Sequence, residues 1–283
     1  MKRHQFYGEN TLINNLLVCF SGGKTSAYMT KKIKESFTGD LRVVFANTGQ
    51  ENDETLEFVR DCDRYFGFET VWLEAEVQER NTATSFKVVD FESANRDGAI
   101  FETVIQKYGI PNVSYPHCTR ELKERPLHSY VKAIGWARGN YQTAIGIRTD
   151  ETRRVRKTKD YQNIVYPLVD WFPADKDDVN DFWEDQKFNL KLAEHKGNCK
   201  WCWKKSLKKH SVLIHESPEI YNFPRKMEQK YGYAGHNDGV RKRVFFRGNR
   251  STDDLFKLSE TTGTVDQDLD GGCSESCEIY ATT

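Results

Sequence analysis

The residues best suited to chemistry lie near the start of the chain, in the run Ser21-Gly22-Gly23-Lys24-Thr25-Ser26, directly after the apolar residues 16–20. Two adjacent glycines allow a tight turn and let a ligand approach the backbone closely. The helix-forming sequence that follows would present unpaired amides beside a lysine and several hydroxyls, a combination that binds anions. The whole run is therefore predicted to bind phosphate. A Walker A loop is excluded, because GxxxxGK[ST] keeps its glycines apart.

The chain has seven cysteines, an odd number, and two of them, Cys199 and Cys202, form a CxxC pair. The charged residues Lys2 and Arg3 are not followed by an apolar stretch long enough for a signal or membrane segment, so a cytoplasmic location is expected. Thiols stay reduced in that compartment. The cysteines therefore indicate metal, cluster or redox chemistry rather than structural disulfides.

Charge is balanced over the whole chain but not along it. Lysine plus arginine and aspartate plus glutamate each number 42, so no global field favours nucleic acid or a membrane. Basic residues cluster in the ranges 148–159, 204–210 and 241–250. Each cluster could be a solvated helix face or a site for a polyanion. Phe245 and Phe246, beside Arg247, could either stack a base or form the edge of a core.

The elements that would position these residues alternate along the first half of the chain. Buried strands are predicted at 16–20, 43–46, 70–73 and 143–147, and helices at 54–66 and 121–134. Such alternation predicts an α/β fold. The predicted fold is a parallel sheet with helices on both faces, and ligands are expected to bind at the carboxyl ends of its strands.

The phosphate loop resembles the SGGxDS signature of the PP-loop ATP pyrophosphatases, which holds the pyrophosphate of ATP while a substrate oxygen is adenylated. Thr25 stands where that family usually has aspartate. Two further segments resemble the branch that contains the phosphoadenosine phosphosulfate (PAPS) reductase-like proteins. Asn47-Thr48-Gly49 resembles its DTG element, with Asn47 replacing aspartate, and Gly146-Ile147-Arg148 resembles its GIR element. The resemblance implies an adenine nucleotide alpha hydrolase-like fold in which these residues line the nucleotide pocket and Arg148 grips phosphate or sulfate oxygens.

Cys118-Thr119-Arg120-Glu121-Leu122-Lys123 resembles the CC…K element of the iron-sulfur members of this branch, with Thr119 at the second cysteine position. The resemblance implies a 4Fe-4S cluster with three thiolate ligands, Cys118, Cys199 and Cys202. One iron would be open or held by His117 or Thr119. Zinc bound by the thiolates and His117 is an alternative, and an unmetallated CxxC is another. Lys123 would offset the charge of the cluster and position a substrate anion.

The organisation predicted with this resemblance has three parts. A PP-loop nucleotide-binding domain spans 1–172, and a mainly helical region with the CxxC spans 173–258. A flexible acidic tail spans 259–283. Within the first part, residues 75–115 are polar and weakly periodic, and are interpreted as an excursion that could act as a lid.

The tail carries Cys273 and Cys277 in a CxxxC pattern. Sulfonucleotide reductases carry a nucleophilic cysteine on such a tail, in a Glu-Cys-Gly context that this chain does not reproduce. Acidic neighbours disfavour the thiolate form of a cysteine. A tail thiol such as Cys277 is thus a candidate sulfur carrier or resolving thiol, with no chemical role as the alternative.

The resemblance implies an enzyme that binds ATP with Mg²⁺, adenylates an acceptor with loss of pyrophosphate, and transfers sulfur with help from the cluster. Its candidate catalytic residues are Lys24, Lys123, Arg148 and Cys277. The basic clusters suit a nucleic acid acceptor, and a cysteine desulfurase is a suitable sulfur donor. The alternatives are a sulfonucleotide reductase that releases sulfite with thioredoxin as reductant, and a non-catalytic nucleotide-binding module. No membrane contact is expected, and an oligomer is compatible with the sequence.

Overall fold

The computed structural model describes residues 14–78, 82–157, 163–197, 199–235, 239 and 241–262. The candidate thiols Cys273 and Cys277 and most of the predicted acidic tail lie outside the described residues. Within the described ranges, every helix is too short or too polar to cross a membrane.

One sheet contains the strands β1 (Asn15–Cys19), β2 (Asp40–Asn47), β3 (Val71–Glu76), β4 (Ser85–Val89), β5 (Gln142–Ala144) and β6 (Ile164–Val165). Their order is β4-β3-β2-β1-β5-β6. All neighbours run parallel except β4, which is antiparallel to β3. The chain places β2 and β3 on one side of β1 and returns to place β5 on the other. The α/β fold predicted from the sequence is confirmed, and the reversal between β1 and β5 is where such folds bind ligands.

Helices connect the strands and continue beyond the sheet. They are α1 (Lys24–Ser36), α2 (Asp53–Phe66), α3 (Ala99–Tyr108), α4 (His117–Thr119), α5 (Arg125–Ala133), α6 (Pro167–Asp170), α7 (Lys176–Glu184), α8 (Leu207–Glu216), α9 (Asn222–Tyr231) and α10 (Thr252–Thr262). A π-helical turn, Arg120–Glu124, joins α4 to α5, and 3-10 turns lie at Thr149–Arg154, Glu194–Lys196 and Pro218–Tyr221. The helix predicted at 54–66 is confirmed, whereas the one predicted at 121–134 begins earlier and contains the π turn.

Successive residues of β1 point to opposite faces of the sheet, and both faces are covered. Leu16 and Val18 pack with α1, α2 and α7 in one core, which also contains Trp183. Leu17 packs on the other face with Leu127 of α5. Burial on both faces explains why the strand has a continuous apolar run rather than an alternating pattern.

Residues 75–115, predicted to be an irregular excursion and a possible lid, instead carry β4 and α3. β4 lies at the edge of the sheet, where the adjacent residues Lys87 and Val88 are exposed, so the strand lacks an alternating pattern of burial. α3 buries Phe101 in a second core with Trp201. The segment is therefore built into the fold rather than set apart from it.

Phe245 and Phe246 also belong to the second core, with 0% and 2% of their surfaces exposed. The interpretation of these rings as core is thus confirmed, and their burial excludes base stacking. Buried Glu228 holds this segment in place, because its carboxylate accepts hydrogen bonds from the backbone amides of Phe245 (3.0 Å) and Thr252 (2.8 Å). Burial raises the pKa of Glu228.

Trp183 of α7 links the helical region to the phosphate loop, since its indole Nε1 donates to the Lys24 carbonyl oxygen at 3.1 Å. We expect Trp183→Ala to lower the free energy of unfolding by about 3–5 kcal/mol, because the buried ring leaves a large cavity. Trp183→Phe should cost only about 1 kcal/mol, since it loses mainly the hydrogen bond. Urea unfolding measures both free energies of unfolding. Equal losses of stability in the two variants would contradict the argument that Trp183 stabilises the fold mainly by packing.

Candidate functional site

Loop 21–26 joins β1 to α1 and is held by its own hydrogen bonds. The Ser26 hydroxyl donates to the Gly23 carbonyl oxygen (3.0 Å), accepts from the Ser21 amide (3.2 Å) and lies 2.9 Å from the Ser21 hydroxyl. Gly22 has a φ of +77°, which favours glycine, and a Cβ built there would lie 2.6 Å from Thr55 Cγ2. The motif therefore forms a compact loop through contacts among its own residues.

The start of α1 has the geometry that binds anions. Gly23 is its N-cap, with φ −107° and ψ 160°, and no described side chain caps the first turn. The first turn also contains no acidic residue. The amides of this turn, which carry partial positive charge, can therefore bind a phosphate.

A cleft of about 390 Å³ opens beside this loop, where the strand order reverses. The predicted site residues that line it are Ser21, Gly22, Gly23, Lys24, Thr25, Ser26, Lys123, Gly146 and Arg148. Beyond β5 the Ile147 amide donates to the Ile145 carbonyl oxygen at 3.0 Å, a tight turn that ends the strand earlier than predicted. A Cβ at Gly146 would lie 3.1 Å from Ser26 Cα, so glycine lets the chain after β5 approach the first turn of α1.

Another wall of the cleft contains residues that sequence reasoning missed. They are Lys176, Val179 and Asn180 of α7, and Leu190 and Leu192 from the segment after it. The two leucines give this wall an apolar surface that suits a planar base. None of these residues was predicted to line the nucleotide site, because the packing of α7 against α1 brings them to the cleft.

Arg148 is oriented by a carboxylate and faces the phosphate loop. Its Nε and Nη2 donate to the two carboxylate oxygens of Asp150 (2.9 and 2.8 Å), and its Nη1 donates to the Thr25 hydroxyl (3.1 Å). The guanidinium holds the pKa of Asp150 below its usual value. The charged guanidinium group of Arg148 thus lies beside loop 21–26, in a position where it can contact a bound anion.

Cations outnumber carboxylates around the cleft. The lining contains Lys24, Lys123, Arg148, Arg154 and Lys176, against Glu51, Glu151 and Glu194. All three carboxylates have partners, since Glu51 accepts from the Thr48 amide (2.9 Å) and hydroxyl (2.8 Å), Glu151 pairs with Arg154, and Glu194 pairs with Lys176 at 3.2 Å. The balance of charge favours a polyanionic ligand.

Asn47 and Gly49, predicted to line the nucleotide pocket, are not among the residues that line this cleft. The Asn47 amide nitrogen, fully buried, donates to Glu74 Oε1 (2.7 Å) and to the Asn95 carbonyl oxygen (2.9 Å). A Cβ at Gly49 would lie 2.2 Å from Asn95 Oδ1. Both residues therefore support the loop after β2, and their contacts are with the protein.

Thr48 instead lines a second, smaller pocket together with the predicted ligands Cys118, Cys199 and Cys202. We call it the cysteine pocket. The Thr48 hydroxyl lies 3.4 Å from Cys199 Sγ, and the Trp203 indole donates to Cys118 Sγ at 3.5 Å. The cysteines of the described residues form no disulfide. The fold thus brings together a cysteine of α4 and two from a distant loop.

The cysteine pocket is small, with a volume of about 10 Å³, enough for about one water molecule. Within the described ranges, no group of three or more His, Cys, Asp or Glu residues is placed to hold a metal ion. His117 and Thr119 do not line the pocket. His117 Nε2 is hydrogen-bonded to the Gly109 carbonyl oxygen at 2.9 Å, and burial lowers its pKa to about 4, so the ring is neutral near neutral pH.

Lys123 lines both the cleft and the cysteine pocket. It lies in the π turn, where the Arg125 amide donates to the Arg120 carbonyl oxygen, five residues earlier. Such turns change the direction of side chains within a helix and are frequent at functional sites. Glu51, in the cleft, also accepts from the hydroxyl of Thr48, in the cysteine pocket. The two sites are therefore neighbours that share a wall.

The fold and the glycine loop define an α/β protein that binds nucleotides beyond the ends of its parallel strands. The model of the phosphoadenosine phosphosulfate reductase domain matches residues 15–191. The chain belongs to this family, which is part of the PP-loop superfamily. The matched residues include the phosphate loop, Arg148, Lys123, Cys118 and most of the residues in the wall of the cleft that sequence reasoning missed.

Relatives extend the similarity beyond this domain. The chain is 31% identical to an uncharacterised nin region protein of Escherichia phage lambda in an alignment 280 positions long, which covers 93% of this chain and 94% of that protein. It is 28% identical to an uncharacterised protein of Methanocaldococcus jannaschii over 52% of this chain and 26% of that protein. A second protein of that archaeon is 26% identical over 55% of this chain and 33% of the protein. The alignments thus cover about a third or less of the length of each archaeal relative.

The two loop glycines have different predicted tolerance of a side chain. We expect Gly22→Ala to destabilise the fold by about 1–3 kcal/mol, because alanine at this φ is strained and its Cβ would contact Thr55. Gly23→Ala is the matched control, since its Cβ would lie 3.7 Å from the nearest side-chain atom, Ser21 Oγ. Thermal unfolding distinguishes the variants, and equal stability would contradict the steric argument.

Proposed function

We propose that this protein binds ATP in the cleft beside loop 21–26, adenylates an acceptor with loss of pyrophosphate, and transfers sulfur to that acceptor. The observation that carries the proposal is the wall of Thr48, Glu51 and Lys123 between the cleft and the cysteine pocket. Neighbouring phosphate and thiol sites allow activation and sulfur delivery to act on the same atom, because the reacting groups are held close together.

The first step forms a bond between an acceptor oxygen and the α-phosphorus of ATP and breaks the bond to pyrophosphate. Negative charge develops on the leaving group, and the loop amides, Lys24 and Arg148 stand where its oxygens would bind. In the second step, a hydrosulfide-type nucleophile from the donor attacks the activated atom of the acceptor. AMP leaves with the acceptor oxygen, so one oxygen is replaced by one sulfur.

Two groups implied by the family would act with these residues. Magnesium would arrive with the nucleotide, and Glu51 and Glu151 supply the oxygen ligands that suit it. The residue types of the cysteine pocket suit an iron-sulfur cluster, because three buried thiols line it, although in the described residues they are not placed to hold a metal ion. Since the pocket holds about one water molecule, the cysteine segments would have to separate to accept a cluster. When bound, a cluster would supply redox and sulfur chemistry.

A sulfonucleotide reductase is the second candidate, and the family match over residues 15–191 favours it. Arg148 would then bind phosphate or sulfate oxygens of the substrate. A cysteine thiolate would attack the sulfonate sulfur and break its bond to the nucleotide phosphate, which leaves with the nucleotide. The thiol of thioredoxin would then reduce the resulting thiosulfonate and release sulfite. The candidate thiol, Cys277, lies outside the described residues. The lysine-containing loop with its exposed amides supports the ATP-dependent reaction more strongly, because it suits a pyrophosphate group.

The ATP-dependent reaction should release pyrophosphate when the protein is given ATP, a sulfur donor and the nucleic acid acceptor. We expect Lys24→Ala to weaken ATP binding about ten- to a hundredfold, because a charged hydrogen bond to phosphate is lost. Calorimetry measures the affinity, and a coupled assay measures pyrophosphate.

The matched control is Lys31→Ala, on the same helix. Lys31 pairs with Glu35 at 2.9 Å and does not line the cleft, so ATP affinity should not change. Equal losses in the two variants would contradict the loop as the phosphate site. Sulfite release from phosphoadenosine phosphosulfate with thioredoxin and without ATP would overturn the first candidate in favour of the reductase.

The cysteine pocket makes a separate prediction about metal content. Anaerobically purified protein should absorb in the visible range and carry about four irons per chain. Cys118→Ser and Cys199→Ser should lower the iron content, whereas Cys62→Ala, in the core on α2, should retain it. Iron, sulfide and zinc analysis measures this, and stoichiometric zinc without visible absorption would contradict the cluster.

A further inference from the structure

An exposed aromatic ring lies close to the cysteine pocket. Tyr115 is 48% exposed, although such rings are usually buried. Its backbone is fixed by Asn112, whose side-chain oxygen accepts from the Tyr115 amide at 3.1 Å. Asn112 also donates from Nδ2 to the Val244 carbonyl oxygen (2.9 Å), which attaches this loop to the basic segment 241–250.

A guanidinium group covers one face of this ring. Arg243 Cζ lies 3.9 Å from the centroid of Tyr115, and Arg243 Nη1 donates to the Tyr108 carbonyl oxygen at 3.1 Å. Arg243 is only 9% exposed, and its Nε is buried with no hydrogen-bond partner in the described residues. The arginine therefore orients the ring and adds positive charge beneath it, while the exposed part of the ring faces solvent.

The surroundings of the ring are basic. Residues 241–250 include Arg241, Lys242, Arg243, Arg247 and Arg250, and no acidic residue. Tyr233, 58% exposed, stands beside Gly232, whose carbonyl oxygen accepts from the Arg243 amide at 2.7 Å. We name Tyr115, Tyr233 and the basic residues 241–250 the Tyr115 surface.

The Tyr115 surface connects to the cysteine pocket at two points. Tyr115 precedes Cys118 by three positions, so their Cα atoms are at most about 11 Å apart. Arg247 donates from Nη2 to the carbonyl oxygen of Lys204 at 2.9 Å, and Lys204 lines the pocket. A strand bound along this surface would therefore pass close to the cysteine pocket.

We propose that the Tyr115 surface binds a single-stranded nucleic acid, with one base stacked on the ring of Tyr115 and phosphates on Arg241 and Lys242. This inference rests on the proposed function and names its acceptor. Aromatic rings backed by cations bind unstacked bases, and the flanking charges bind the backbone. A duplex hides the faces of its bases, so single strands should bind better.

Fluorescence anisotropy of the full chain with a labelled oligonucleotide about a dozen nucleotides long tests the surface, with separate DNA, RNA and duplex probes. No ATP is added, so binding is measured apart from catalysis. Tyr115→Ala should weaken single-strand binding about 5- to 100-fold, the effect of one stacked base. Tyr115→Phe keeps the ring and should bind like the parent protein.

The matched control is Tyr65→Ala, because Tyr65 is equally exposed (49%) but stacks on Phe188, away from the basic segment. Its affinity for the oligonucleotide should not change. Arg241→Ala with Lys242→Ala should make binding less dependent on salt, because two phosphate contacts are lost.

The proposal is overturned if Tyr115→Ala binds like the parent protein, if Tyr65→Ala loses as much affinity, or if duplex binds as well as single strands. Each variant is also titrated with ATP, and Tyr115→Ala should retain full ATP affinity. If ATP binding and pyrophosphate release are intact with a small acceptor while no oligonucleotide binds, the surface is wrong and the proposed function stands. If oligonucleotides bind as expected but ATP does not, the surface is supported and the proposed function fails.

Discussion

The parallel pairing of β1 with β5, in which Val18 lies opposite Ala144, is the constraint on which the rest of the structure depends. Parallel strands end at the same edge of a sheet, so the pairing brings the phosphate loop to Arg148, although 123 positions separate Thr25 from Arg148. Gly146 completes the approach, because a side chain there would press on the first turn of α1. Both faces of these strands are buried, so the edge cannot shift without disturbing two closely packed cores.

The cysteine pocket depends on that edge through the loop after β2. The Lys200 amide donates to the Gln50 carbonyl oxygen (2.8 Å), and Asn52 donates from Nδ2 to the Lys196 carbonyl oxygen (3.0 Å). Lys205, which follows the CxxC pair, is 2% exposed and donates to the His195 carbonyl oxygen (3.1 Å). The CxxC segment is thus held by directional bonds, which place it against the nucleotide cleft more specifically than apolar contact alone would.

Features set by local sequence were predictable, and features set by packing were not. The glycine loop was predicted because its residue types determine its geometry. Arg148 was predicted because it follows a parallel strand, and parallel strands end at the same edge of the sheet. Leu190 and Leu192 were missed because only the docking of α7 carries them to the cleft. β4 was mistaken for a loop, since this short edge strand exposes the adjacent residues Lys87 and Val88 and therefore has no alternating apolar pattern. Asn47 was predicted to line the cleft, although the structure directs its side chain to Glu74, because a motif indicates a position along the chain but not the direction of a side chain.

The two departures from the PP-loop pattern have physical explanations in this fold. An aspartate at position 47 would place a second carboxylate against buried Glu74, and like charges in a buried site oppose each other, whereas Asn47 donates to Glu74 at 2.7 Å. A carboxylate at position 25 would pair with Arg148, which Asp150 already binds with both oxygens. Thr25 accepts the same hydrogen bond without adding negative charge. Both replacements therefore reduce the negative charge near the loop.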